Sequence, residues 1–539
     1  MTHRSPHTFL VLLLALGCGA TEPDSPGGPE GSRVQALAAP VVVRTVTGDD
    51  WTLPTSWAPH PQSGIYGAGP TVLNDVATIM MPMIPWSAMH LGDGQYDWSK
   101  VDAQLAKAPI VLRMWCGSPG QVPLFVRNRH PGWRTFVNSE GDVELPQWSA
   151  GWVDEWKVFV SALGARYKNN PNFRGFQLQV SADGEAFMSP ADVADFEALG
   201  MTPSLLQGFF TSYYEHAVAA FSGQEWKVFS VMKPIFFNSG TRFTREDYAN
   251  AVRAATLPAL RLGMGIRGSG FSERYHFPAD WTEWSEFEGG QVVTHDDTFQ
   301  PLIQHAHVDG QLENWYGPNQ APDITTTDPS MLRYAIRLSL LRGLADQYSF
   351  IWLDGDDVDF VEQEYPGLVR YAQKVLGRRP SGSPDALVTL GNWPYNASIS
   401  TQAWPRWLTP LNLGATGNGV AVDVSGLGFF PNLPQHLGRT LGTTLDLAVD
   451  NRFLAPGGPH DVEVRVQYLD NGARWHLDYD STSGVRSAPT VGGTTSGLWK
   501  TVTVRLPDAA FSGRLAGGAD LRIIRDSGTV LVQVVRVVK

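Results

Sequence analysis

Cysteine is almost absent: Cys18 and Cys116 are the only two in 539 residues. A disulfide framework is excluded as the source of stability if Cys18 is removed or modified, so packing has to supply it. Positive charge is also scarce. Lys and Arg number 41 against 53 Asp and Glu, a formal net charge of −12, which argues against a general polyanion binder such as a nucleic-acid protein and leaves room only for a local basic subsite. Long hydrophobic runs are missing as well. The stretch Phe9 to Leu16 is too short to span a membrane as a stable helix. No GxSxG elbow, HExxH, Walker loop or paired CxxC occurs, so serine hydrolases, zinc proteases and P-loop enzymes lack support. The single GxGxxG match, Gly263, Gly265 and Gly268, overlaps a strand pattern and runs on into Ser-Gly-Phe rather than a helix, and reads as chance. No metal-spaced cluster surrounds Cys116, which follows the apolar run Pro109 to Trp115 and reads as a buried thiol. Neither a metal nor a cofactor is expected.

What the chain has in plenty is aromatic surface, with 19 Trp, 15 Tyr and 25 Phe. Most of these serve a core, but aromatic faces also stack on the apolar faces of sugar rings. With 43% hydrophobic residues over this length, two domains are expected. Thr2, His3 and Arg4, then the apolar run, then Gly17 and Cys18 have the layout of a secretory signal over 1–18. Cys18 after Leu-Ala-Leu-Gly resembles the lipidated cysteine of a bacterial lipoprotein, although Ala15 and Leu16 stand in reverse of the usual order. Lipidation and ordinary export both remain open, so a cell-envelope lipoprotein or a secreted protein is expected, with membrane contact only through the anchor. Residues 19–39, rich in Gly, Pro, Ser and acidic residues, read as a flexible linker.

From 40 to 380 short apolar runs alternate with helical patterns, the mark of βα units around a parallel sheet. Eight strands are expected, centred on Gly64 to Gly67, Val76 to Pro82, Ile110 to Trp115, Gly175 to Ser181, Lys227 to Lys233, Arg261 to Ile266, Val308 to Glu313 and Ser349 to Asp354, with Val292 to His295 competing as an extra or replacement strand. Eight point to a closed (β/α)8 TIM barrel. Trp152, Trp156, Phe159, Val160 and Leu163 share one helical face, Pro203 opens a second helix, and Pro329 opens a third carrying Leu332, Ile336, Leu340 and Leu344. Arg378 to Pro384 form a breaker-rich hinge. Beyond it, over 385–539, the β-branched runs His460 to Tyr468, Ala473 to Tyr479, Lys500 to Leu506, Asp520 to Ile524 and Thr529 to Val537 predict an all-β sandwich domain.

Strand parity singles out two glutamates. In the fourth strand Gln177, Gln179 and Ser181 share a face, and that polar row extends to Asp183 and Glu185, although Gly184 interrupts the extension. In the seventh, Asp309, Gln311, Glu313 and Trp315 share a face. Both rows end in a carboxylate at the C-terminal end of the barrel, where barrel enzymes place their sites. A facing carboxylate pair is what cleavage of a glycosidic bond requires. The plainer alternatives are an exposed loop carboxylate for Glu185 and an arginine-paired buried acid for Glu313. Other strand ends supply substrate contacts: Arg113, Gln179, Asp183, Lys233, Asn314 and Asp354 for hydroxyls, and Trp86, Trp115, Trp315 and Trp352 for ring stacking. Arg267 and the run Asp354 to Asp357 are weaker candidates.

At these residues the chain resembles the clan A glycoside hydrolases, the (β/α)8 group that includes β-galactosidase-like and endo-glycanase families. The likeness covers roughly residues 60 to 375 and rests on Glu185, Glu313, Trp352 in SFIWLDG and the segment IPWSAMHLGDGQYDWSKVDAQL. It implies Glu185 as acid/base, Glu313 as nucleophile, a retaining mechanism and a polysaccharide or oligosaccharide as partner. One departure stands out: the Asn that usually precedes the acid/base is Gly184 here, which leaves Gln179, Asp183 or another side chain to bind the sugar 2-hydroxyl. A Gly-Glu pair at this strand also resembles inverting β-amylase-type barrels. A non-catalytic glycan-binding lipoprotein and a transglycosylase are the other readings. The tail VEVRVQYLDNGARWHLDYDS resembles sandwich modules of polysaccharide-degrading enzymes, with Trp475, Tyr479 and Trp499 as aromatic platforms; a purely structural sandwich is the alternative.

Overall fold

The computed structural model describes residues 39–67, 79–138, 141–178, 197–232, 242–268, 308–311, 329–345, 347–353, 355–396, 399–422 and 435–539. Eight short strands pair in parallel and in chain order: Gly64–Gly67, Ile79–Met80, Ile110–Trp115, Phe173–Leu178, Val228–Met232, Gly265–Gly268, Val308–Gln311 and Phe350–Trp352. The eighth pairs back onto the first, with Phe350, Ile351 and Trp352 opposite Gly64, Ile65 and Tyr66, so the ring closes. Seven of the expected central segments fall on these strands; the sixth, expected over Arg261 to Ile266, begins later, at Gly265, because the preceding helix runs to Arg261, and Val292 to His295 lies outside the described residues. The glycine run at 263–268 leads into the sixth strand from a helix rather than out of a strand into one, the reverse of a dinucleotide loop.

Helices fill the described connections because the sequence supplies both the apolar stripe and the caps. Ala150–Tyr167 buries Trp152, Trp156, Phe159, Val160 and Leu163. Pro203–Ala220 starts with proline in its first turn, and the Thr202 hydroxyl accepts from the Leu205 N–H. Arg245–Arg261 opens on a reciprocal cap: the Asp247 N–H donates to Thr244 Oγ1 at 3.1 Å and the Thr244 N–H to Asp247 Oδ2 at 2.7 Å. Pro329–Ala345 follows as expected. One continuous apolar core lies between these helices and the outward faces of the strands.

Thirteen strands of the C-terminal region and the strand Val41–Thr47 form one large antiparallel sheet of 14 strands. All five expected β runs fall on its strands. A single residue pair, Ser481 with Ala509, links its two halves along the Arg474–Ser481 and Trp499–Ala509 strands. Side chains of both halves, among them Val464, Val502 and Val537 on one and Leu447, Leu477 and Ile523 on the other, share one core. The strand Val41–Thr47 differs from expectation. It pairs with Trp499–Ala509 rather than with the ring, because its β-branched sequence VVVRTVT suits an edge position on an antiparallel sheet.

The segment after that strand threads a polar seam between ring helices and sheet. Arg337, on the Pro329–Ala345 helix, donates from Nε to Asp49 Oδ2 at 2.7 Å and from Nη2 to Gln467 Oε1 at 2.9 Å. Arg465 Nη1 reaches Asp50 Oδ1 at 3.3 Å, and Arg536 Nε reaches Asp385 Oδ2 at 2.9 Å, beside the Tyr371 hydroxyl on the same oxygen at 2.8 Å. The expected hinge is held in this seam too. Ser383 is fully buried with its hydroxyl on the Asp385 carbonyl, and the Lys539 N–H bonds the Pro384 carbonyl.

Candidate active site

The inside of the ring is legible from which side chains cluster together. Ile79, Met81, Val111, Phe229 and Phe350 form a core of their own, separate from the one beneath the helices. Phe229 and Phe350 meet edge to face, ring centroids 5.3 Å apart, from the fifth and eighth strands. Two glycines make room for this filling. A Cβ on Gly175 would come within 2.5 Å of the Phe229 ring, and one on Gly64 within 2.7 Å of Ile79 Cδ1. Since side chains alternate along a strand, the residues two positions on from Val111 and Gly175 also lie on the interior side.

Those residues are Arg113 and Gln177. They are Cα partners on adjacent strands, 5% and 0% exposed, so the row above the apolar filling is polar and includes a cation. A buried guanidinium lowers the pKa of any carboxylate placed near it and keeps that carboxylate ionised. Two further positions along the third strand stands Trp115, its last residue and half-exposed. Trp115 Nε1–H is out of solvent and has no hydrogen-bond partner among the described residues.

The loop that follows is anchored just beyond Trp115. The Leu145 N–H donates to the Gly117 carbonyl, and Gln121 Oε1 accepts from the N–H groups of Gly117 and Ser118. Within it lies a fully buried carboxylate that strand-parity reasoning did not reach: Glu144 accepts from Asn138 Nδ2 at 2.8 Å and from Gln147 Nε2 at 2.7 Å. Its signal was a glutamate between apolar neighbours in GDVELPQW. Cys116 is a buried thiol whose pKa is raised well above the ordinary value by burial and, next, by the Glu144 charge, so it stays protonated and unreactive.

Trp86, expected at the site, belongs to the core instead. It is 0% exposed, donates from Nε1 to His90 Nδ1 at 3.2 Å and meets Trp152 edge to face at 5.7 Å. Burial lowers the His90 pKa, so the imidazole that accepts this bond is neutral. Trp352 ends the eighth strand, Cα partner to Gln311 of the seventh. Glu185, Glu313, Gln179, Asp183, Lys233, Asn314, Trp315 and Asp354 lie outside the described residues, as does Cys18. In the sheet region Trp475 and Tyr479 are core residues, each 0% exposed, which corrects their reading as platforms; Trp499 is half-exposed. Among the described residues no group of three His, Cys, Asp or Glu is placed to hold a metal, and no helix is long and apolar enough to cross a membrane.

No protein-family model matches the sequence, and no curated protein matches it. Solved structures similar to the chain include a β-galactosidase from Rahnella sp. R3, 12% identical over 61% of this chain and 57% of that one, TM-score 0.32. Endo-glycoceramidase II from Rhodococcus sp. is 12% identical over 79% of this chain and 88% of that one, TM-score 0.30. A Paenibacillus polymyxa xyloglucanase from GH family 44 is 11% identical over 87% and 97%, TM-score 0.30. The chain thus spans less than two thirds of the β-galactosidase's length.

Proposed function

We propose that this chain is a glycoside hydrolase, a (β/α)8 barrel with an appended β-sandwich, in which Glu185 and Glu313 form the catalytic pair. The observation that carries the reading is the closed ring with a polar interior row beneath its C-terminal mouth, Arg113 and Gln177 on the third and fourth strands. Ring order supports it too. Phe173–Leu178 is the fourth strand and Val308–Gln311 the seventh, so Glu185 and Glu313 follow the two strands that parity selected. In this mechanism Glu185 protonates the leaving oxygen while Glu313 attacks the anomeric carbon, breaking the glycosidic bond and leaving a glycosyl ester on Glu313. Glu185, now a carboxylate, takes a proton from water, which displaces Glu313 and restores both groups.

Reducing-end release from a panel of plant, algal and microbial polysaccharides tests the reading. Glu185→Gln and Glu313→Gln are each expected to lower turnover by about 100- to 10,000-fold. Wild-type turnover that survives either change moves the catalytic centre elsewhere. NMR of the first-formed anomer separates retention from inversion. Export belongs to the same proposal, and mass spectrometry of the mature N-terminus distinguishes an acylated Cys18 from ordinary cleavage.

A further inference from the structure

Among the described residues five tryptophans have an indole N–H that is out of solvent and without a hydrogen-bond partner: Trp115, Trp152, Trp156, Trp407 and Trp475. A buried donor left unpaired costs about 1–3 kcal/mol, so each calls for an explanation. Four are enclosed within their own cores, between 0% and 6% exposed. Trp115 alone among the five is half-exposed as a residue. It is also the one that ends a ring strand on the interior side, directly above Arg113, at the mouth where a substrate would enter. The loop behind it is fixed by the Leu145 N–H on the Gly117 carbonyl and the Gly117 N–H on Gln121 Oε1, and the fully buried Glu144 is held by two amides within the same loop. The strand end carrying the indole is therefore held in place without a ligand.

We infer that Trp115 is a specificity-determining residue whose Nε1–H donates to one hydroxyl oxygen of a bound sugar. This goes beyond ring stacking, which would use the indole face and leave the N–H idle. It rests on the glycoside hydrolase reading for the place of the sugar but not for the bond itself. A neutral donor can be satisfied by a hydroxyl or ring oxygen and gains nothing from a deoxy position. The ligand class is thus a glycan with an acceptor oxygen on the side of the third strand.

The test uses 4-nitrophenyl glycosides of galactose and glucose with their monodeoxy counterparts, and compares wild type with Trp115→Phe, which keeps an aromatic face but lacks the donor. Trp115→Leu, which also lacks a donor, is the second variant, should Trp115→Phe fail to match the wild-type thermal transition. The expected result is a fall in kcat/KM of about ten-fold on the parent glycoside, in line with one lost neutral hydrogen bond. On one monodeoxy glycoside wild type and variant are expected to be equal. A change within two-fold on every substrate overturns the inference, as does an equal fall on all of them, which would mean lost packing. If wild type binds but does not cleave, dissociation constants replace kcat/KM in the same comparison, and the hydrolase reading fails while the inference stands. Neither binding nor cleavage of any glycoside overturns both.

Discussion

Trp86 and Trp115 lie 29 positions apart in sequence and were expected to do the same job, yet their surroundings differ in every respect that matters to a ligand. Trp86 is wholly enclosed, its N–H is spent on His90, and Trp152 and Phe159 wall its ring at 5.7 and 6.0 Å. Trp115 is half-exposed with its donor unspent. Composition cannot separate the two, because an aromatic residue near a strand end serves core and cleft equally well. Period-2 parity could: Trp115 shares the row of Val111 and Arg113, whereas Trp86 opens a 3-10 turn outside any ring strand. Trp86→Ala should therefore act on stability, with a loss of about 3–5 kcal/mol in urea unfolding. A variant that keeps wild-type stability and loses sugar binding would return Trp86 to the site.

At the scale of the element, the ring strands were the most legible part of the chain. Short apolar runs between helical patterns located seven of the eight, including the two-residue strand Ile79–Met80 inside the wider expected run Val76 to Pro82, and misplaced the sixth, whose expected run began on the last residue of the Arg245–Arg261 helix. Parity then separated interior from exterior, and the division into two apolar clusters follows it: Val111 and Phe229 lie in the interior cluster, and Leu112, Met114 and Val228 in the one beneath the helices. Less legible was the edge strand Val41–Thr47, since β-branched residues announce a strand but not its partner. The ring also explains a residue that sequence alone leaves mute. Gly175 faces Phe229, whose ring would lie 2.5 Å from an added Cβ, with the Lys227 carbonyl 3.4 Å away. Gly175→Ala is expected to cost about 1–3 kcal/mol by overpacking the interior. Combining it with Phe229→Leu should recover part of that loss, a coupling read from a double-mutant cycle. Strict additivity of the two changes would mean that Phe229 is not what the glycine accommodates.

Across the whole molecule, ring and sheet are tied by charge as much as by apolar contact, and this bears on the expected hinge. A run such as Arg378 to Pro384 reads as flexible because its residues break helices, but what it does depends on what its backbone and side chains meet. Here Ser383 is buried, and the neighbouring Asp385 holds Arg536, Arg406 and the Tyr371 hydroxyl. On the other side of the seam Arg337 is 1% exposed and joins Asp49 through two hydrogen bonds of 2.7 and 3.0 Å, while the same guanidinium stands 5.2 Å from the Tyr365 ring. A buried ion pair of this kind adds little over a well-packed apolar pair, since desolvation offsets most of the attraction; its removal by halves is what is costly. Arg337→Met should leave the Asp49 carboxylate buried without its cation and lose about 3–5 kcal/mol. Adding Asp49→Leu removes the stranded charge, so the double variant should regain most of the loss. If ring and sheet are one cooperative unit, both variants unfold in a single transition at shifted midpoints. Two separated transitions in calorimetry, with only one moving on Arg337→Met, would mean that the seam joins domains that fold independently.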